Sequence, residues 1–218
     1  MVALRGVEFE VPAGRLLAVV GPNGAGTSTL LRVLSGLARP SAGSVRVGRG
    51  EDRRHARGRV GYIGHATLLY PALTARENLL FAARLYGVRD AHARAAALLE
   101  EQDLEPLSDQ PAGTFSRGLA QRLAIARALV HDPEVVLLDE PFTGLDPVSA
   151  DRLAGRLRAL RASGRAVVLV THDLTQAAAL GDRALLLVRG QVAFDSGTAP
   201  ANASELERAW RAEAAGTT

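Results

Sequence analysis

With 218 residues, 47% of them hydrophobic, the chain is long enough to bury one sizeable core with a smaller unit attached, and one globular unit is expected. Its 26 basic residues, all arginine, stand against 23 acids for a net charge of only +3, spread along the chain, which argues against a nucleic-acid partner. No apolar run approaches the roughly 20 residues of a membrane-spanning helix, the N-terminus lacks a secretion pattern, and cysteine is absent, so a cytoplasmic setting is expected.

In chain order, short apolar runs predict strands at Val7–Val11, Leu16–Val20, Ser44–Val47 and Val60–Ile63, with a helix from Ser28 to about Leu37. The arginine-rich stretch Arg53–Arg59 reads as a solvated loop before a strand. From Thr74 to about Val130 the pattern is helical throughout. Thr74 with Glu77 makes a capping box, Asp90 opens an alanine-rich amphipathic segment, and Ser116 opens another with Leu119, Leu123 and Ala126 on one face. Alternation resumes with a strand at Val135–Leu138 and a helix capped by Asp146, with Pro147 at its first position, ending near Gly164. Strands at Ala166–Val170, Ala184–Val188 and Gln191–Phe194 follow, then a helix from about Ser204. Strands alternating with helices predict an α/β fold, a mostly parallel sheet covered on both faces, with the all-helical stretch inserted into it.

The residues Gly21, Pro22, Asn23, Gly24, Ala25, Gly26, Thr27, Ser28 and Thr29 follow a strand and open a helix. They fit the phosphate-cradling pattern G-x-x-x-x-G-K-[ST] except that Thr27 stands at the lysine position. Glycine turns of this kind expose backbone amides to phosphate oxygens, the helix adds its positive dipole end, Ser28 is placed to ligate magnesium, and the Thr29 hydroxyl can support the phosphates. By itself such a turn would serve equally as a plain strand–helix connection. The run "VVLLDEP" is an apolar strand ending in Asp139 and Glu140, where a parallel sheet presents ligands at its C-terminal edge. Asp139 would hold magnesium through water and Glu140 would polarise an attacking water, although adjacent acids also cap helices. Asp146 in "TGLD" reads as a helix cap or as part of a site, and His172 in "LVTHDL" follows a buried strand, within possible reach of a γ-phosphate.

The stretch "FSRGLAQRLAIARAL" resembles the signature motif of ATP-binding cassette proteins, with Ser116, Arg117, Gly118 and Leu119 at its centre, followed by Gln121 and Arg122. The order of P-loop, helical insertion, signature, "LLDEP", "GLD" and histidine is that family's order and covers nearly the whole chain. The resemblance implies a P-loop NTPase sheet core of RecA-like type over residues 1–67 and 131–218, and a helical subdomain over 68–130. It implies ATP and Mg2+ as ligands, Asp139 and Glu140 as the Walker B pair, Asp146 as the D-loop aspartate and His172 as the switch histidine. The family's Q-loop glutamine falls on His65, a departure. Gly-His in "GYIGHATLLYPALT" and Ser-Arg-Gly in the signature resemble the haem-exporter ATP-binding subunits of cytochrome c maturation, implying haem export. The resemblance also implies a homodimer closing over nucleotide, with Ser116 serving the other copy's site, and integral membrane subunits holding the chain at the cytoplasmic face. The groove near His65 and Tyr70 would receive them. Family members usually open with a further strand and an aromatic that stacks on adenine; only six residues precede Val7 here and none is aromatic, so a late start or a lost adenine platform is expected. Intact Glu140 and His172 favour a transport ATPase driving haem or another substrate across the membrane. Thr27, with its missing cation, favours a nucleotide-binding but hydrolytically weak regulatory subunit.

Overall fold

The computed structural model describes residues 2–48, 58–64, 66–200 and 202–215. His65 and most of Arg53–Arg59 fall outside these residues. The fold is built on a six-stranded sheet in the order β2-β3-β4-β1-β5-β6. Its strands are β1 (Leu16–Val20), β2 (Val60–Ile63), β3 (Val135–Asp139), β4 (Ala166–Val170), β5 (Arg183–Val188) and β6 (Gln191–Asp195). All neighbours are parallel except β5 and β6, which are joined by a tight turn at Arg189–Gly190. Central strand β1 is at most 1% exposed along its whole length, as expected for a continuous apolar run paired on both edges and covered on both faces.

The helices are α1 (Thr27–Leu34), α2 (Ala75–Leu85), α3 (Ala91–Glu101), α4 (Arg117–Leu129), α5 (Pro147–Ala162), α6 (Leu174–Leu180) and α7 (Ala203–Ala215). Between β2 and β3 the chain carries α2, α3 and α4 with short 3-10 turns at Glu105–Leu107 and Ala112–Thr114. Local chemistry starts these helices. Thr74 and Glu77 form the reciprocal capping box at α2, the Asp90 carboxylate accepts from the Ala93 amide at α3, and the Asp146 carboxylate accepts from the Ser149 amide at α5. Alternate residues of the strands face opposite layers. Leu16, Ala18, Val20, Val136, Leu138, Val167 and Leu169 pack under α2–α7, whereas Leu17, Val19, Leu137, Val168 and Val170 pack against Leu30 and Leu31 of α1 and the N-terminal segment.

Two expected strands do not form ladders. Val7, Phe9 and Val11 are half-buried on the α1 side of the sheet while Glu8 and Glu10 are exposed, so the alternation is present but records packing on a sheet face. At Ser44–Val47 only Val47 makes a bridge, with Val45 and Val47 turned inward. The first helix also ends earlier than the expected Leu37: Ser35 caps it and Gly36 turns the chain at φ 74°, which stops the helical path.

Candidate nucleotide site

The strand order sets β3, β4 and β1 side by side with matched ends: Val19 pairs with Val170, and Asp139 with Val170. The segments that follow these strands therefore emerge together at the C-terminal edge: Gly21–Thr29 after β1, Glu140 after β3 and His172 after β4. The Thr171 amide donates to the Val19 carbonyl at 3.1 Å and the Glu140 amide to the Val170 carbonyl at 3.0 Å, so the register continues one residue past the strands.

In the turn after β1, Gly26 has φ 103°, a conformation that side chains oppose, and a Cβ there would come within 2.7 Å of the Ala3 carbonyl oxygen. A Cβ on Gly21 would come within 2.5 Å of the Leu187 carbonyl oxygen. The turn is thus packed from behind by the N-terminal segment and by β5, and the Gly190 amide ties it to the Ala25 carbonyl at 2.9 Å. The amides of Asn23, Gly24 and of Gly26 to Thr29 donate to no group among the described residues, and Gly26, the residue before α1, offers no side-chain cap. A helix start with this many open donors suits an anion. Thr27 begins α1 with a hydroxyl and a methyl and carries no charge.

Asp139 is 7% exposed at the end of β3, and Glu140 beside it takes φ 51°, a main-chain conformation unusual outside glycine. That turn sends the Glu140 side chain to His172, whose Nδ1 lies 2.8 Å from Oε2. Thr143 Oγ1 donates to the same oxygen at 3.5 Å, while Oε1 makes no hydrogen bond among the described residues. The histidine side chain is 68% exposed and the carboxylate 24%, so the pair faces the sheet edge from a half-covered position.

The bracket that holds His172 was not read in the sequence. Asp173 caps α6 by accepting from the Thr175 and Gln176 amides at 2.8 and 3.0 Å, its own amide donates to Oγ1 of buried Thr171 at 3.1 Å, and that hydroxyl reaches Gln176. The Asp-Leu-Thr-Gln spacing after the histidine is the cap signal that could have located it.

Ser116, Arg117, Gly118 and Leu119 lie elsewhere. Ser116 caps α4 through the Leu119 amide at 3.4 Å. A Cβ on Gly118 would stand 2.9 Å from Ser149 Oγ, and one on Gly144 would stand 2.7 Å from the Arg117 guanidinium. The signature therefore packs on Asp146 and its neighbours at the start of α5. Ser149 donates to both Asp146 carboxylate oxygens, from Oγ at 2.6 Å and from its amide at 3.0 Å, and these bonds hold the Asp146 carboxyl below its usual range. Among the described residues no hydrogen bond or ion pair joins Ser116–Leu119 to Gly21–Thr29. His65, the Q-loop position, lies outside the described residues.

A family profile described as ABC transporter matches residues 4–143. This chain belongs to the ABC transporter family. It is 43% identical over 194 residues to the Nod factor export ATP-binding protein I of Burkholderia orbicola, covering 86% of this chain and 64% of that protein. It is 46% identical over 206 residues to the molybdenum import ATP-binding protein ModC of Mycobacterium tuberculosis, covering 86% of this chain and 55% of that protein. The chain thus spans between about half and just under two thirds of these relatives' length. Among solved structures it is similar to an ATP-binding subunit of an ABC transporter, with TM-score 0.83 and 31% identity over 94% of this chain and 92% of that one. It is also similar to a dimeric ATP-binding cassette in a post-hydrolysis state with ADP and Pi, with TM-score 0.79 and 28% identity over 89% and 90% of the two chains. The mostly parallel six-stranded sheet is the P-loop NTPase sheet of these ABC transporter structures.

Proposed function

We propose that the chain is the ATP-binding and ATP-hydrolysing subunit of an ABC transporter, with turnover held low by Thr27. The observation that carries this reading is the Glu140–His172 contact of 2.8 Å, set at the same sheet edge as a helix-start turn of open amides. Glycines and amides from Gly21 to Thr29 would hold the phosphate chain. The Ser28 hydroxyl and the Asp139 carboxylate supply the hard oxygen donors that suit Mg2+, which when bound neutralises phosphate charge. Glu140 keeps Oε1 available to orient a water, while His172 and Thr143 contact Oε2.

Thr27 offers no charge to bridge the β- and γ-phosphates, a contact that strengthens as charge moves in the transition state. Its loss costs a few kcal/mol, on the order of a hundredfold in rate. This residue favours a second reading, a nucleotide-binding regulatory subunit with weak hydrolysis.

Residues 1–67 and 131–218 form the core in this proposal, and 68–130 a helical subdomain that moves against it. Two copies close over nucleotide, each lending Ser116–Leu119 to the other's phosphates; the packing of this signature on its own α5, away from its own turn, supports that division. Membrane subunits hold the pair at the cytoplasmic face, and no helix among the described residues is long and apolar enough to cross a membrane itself. For the cargo, the Gly64-His65 and Ser116-Arg117-Gly118 features support haem, whereas the named relatives carry Nod factor and molybdenum. The experiment is phosphate release at saturating Mg-ATP from the unaltered chain, Thr27→Lys, and Thr27→Lys with Glu140→Gln. A gain in the single variant and its loss in the double variant support the ATPase; equal, negligible rates in all three with nucleotide still bound favour the regulatory subunit. Sedimentation of the double variant with ATP should show a dimer.

A further inference from the structure

A small cavity lies between the end of α3, one side of α4 and α5, and none of Gly21–Thr29, Asp139, Glu140 or His172 lines it. It gives about 20 Å³ to the centres of water-sized atoms, where one water takes roughly 10 to 15 Å³, so it holds more than one such atom. Two side-chain amides line it with a polar atom unused. Gln102, 2% exposed, buries an Oε1 that accepts from nothing among the described residues, and Gln121 buries an Nε2 that donates to nothing. Buried polar groups of folded chains find partners, so this cavity calls for an occupant that both donates and accepts.

The charge around these amides is unbalanced. Arg122, Arg152 and Arg156 line the cavity, and Asp103 is the single carboxylate that lines it with them. Arg156 Nη2 donates to Asp103 Oδ2 at 3.2 Å. Arg122 Nη1 stays 3.9 Å from that oxygen and donates instead to the Gln102 and Asp103 carbonyls at 3.0 and 3.3 Å. Arg152 is exposed at the rim and makes no hydrogen bond or ion pair among the described residues. Burial, and then the Arg152 charge, lower the Arg122 pKa; Asp103 opposes them and Arg156 adds to them, so these guanidiniums act on one another. One carboxylate among three arginines leaves an excess of positive charge that suits a dianion.

These demands exclude most small occupants. Water would serve both amides and leave the arginines uncompensated, whereas chloride or sulfate would meet the arginines and Gln121 but bring no proton to Gln102 Oε1. Inorganic phosphate near neutral pH carries up to two negative charges and keeps a hydroxyl, so one oxygen can donate to Gln102 while the others accept from Gln121 and the guanidiniums. A phosphate monoester, with its second pKa near about 6, has largely lost that proton at neutral pH. We infer that this cavity is a binding site for inorganic phosphate, taken as the hydrogen phosphate dianion. Bound there, the ion ties α3 and α4 of the inserted stretch to α5 of the sheet core. The inference stands apart from the transporter reading, and should the chain hydrolyse ATP as proposed, the ion is one of its own products.

The test is calorimetric titration of the nucleotide-free chain with inorganic phosphate, sulfate and AMP, at equal ionic strength and slightly above neutral pH. Phosphate should bind saturably, with sulfate and AMP at least about tenfold weaker. Arg152→Gln and Gln121→Leu should each weaken phosphate by about tenfold. With phosphate present, amide hydrogen exchange should slow together at 102–103, 118–125 and 149–156. Sulfate or AMP binding as tightly as phosphate, with the same dependence on Arg152, overturns the hydrogen phosphate assignment. Phosphate binding that is absent, or that is unchanged in both variants because the ion sits at Gly21–Thr29, overturns the site itself. Should Gln121→Leu fail to fold, Arg152→Gln decides, since that side chain is exposed and bonds to nothing among the described residues.

Discussion

The two halves of the candidate nucleotide site are made of different material. On the β1 side, Gly21 to Thr29 presents main-chain amides whose placement depends on glycine conformations and on packing from Ala3, Leu187 and Gly190. On the β3–β4 side, the work falls on side chains, Glu140 and His172, each steered by a neighbouring turn. A main-chain half can lose a side chain and keep its shape, as Thr27 illustrates, whereas a side-chain half has no substitute for the atom it presents.

The sharpest way to break this comparison is at Glu140. In a Thr27→Lys background, Glu140→Gln should lower phosphate release by at least about a hundredfold and leave nucleotide affinity nearly unchanged by titration calorimetry. Comparable losses in rate and affinity would show that the halves are not separable. Next in size, Thr27→Lys should raise turnover by at least roughly tenfold over the unaltered chain, read as phosphate released per chain at saturating ATP. No gain with binding intact means that Thr27 is not the defect.

Smaller again is Gly26→Ala, which forces a side chain onto φ 103° and against Ala3. It should destabilise the chain by about 1 to 3 kcal/mol in chemical denaturation and weaken ATP binding, while Thr27→Ala does neither. The smallest effect lies away from both halves. Burial is the main cause that keeps the His131 pKa below its ordinary value, and the Val60 carbonyl and Asp132 oppose that shift while Arg127 and Arg94 reinforce it. The unfolded chain, with an ordinary histidine near about 6.5, takes up this proton first as pH falls. The contribution is therefore present above that pH and is lost as pH drops through the lower folded value. His131→Gln should flatten the melting temperature between neutral and mildly acidic pH by on the order of 2 °C.

Much of the fold could be read from the chain because its signals were local. Thr74, Asp90, Asp146 and Pro147 start helices by bonds within one turn, and the five apolar residues of β1 occupy the expected positions. Val7–Val11 misled for a physical reason: alternation reports which side chains are covered, and covering a sheet face needs no ladder. Helix α6, seven residues long, is too short for periodicity to reveal. For the candidate site, glycine spacing and strand-end carboxylates marked the segments, but contact across the fold was invisible. Nothing in the chain announces that Glu140 turns at φ 51° toward a histidine 32 positions on.

The Arg117 guanidinium rests against Gly144, and Gly118 against the Ser149 hydroxyl, so the first turn of α4 and the loop before α5 lie in contact. Two segments in such contact present one continuous surface. If two copies close as proposed, the signature and Asp146 of each would arrive at the opposite copy side by side. A bulkier residue at Gly144, already at φ 71°, would displace the Arg117 guanidinium and so disturb that contact while leaving Gly21–Thr29, Glu140 and His172 untouched.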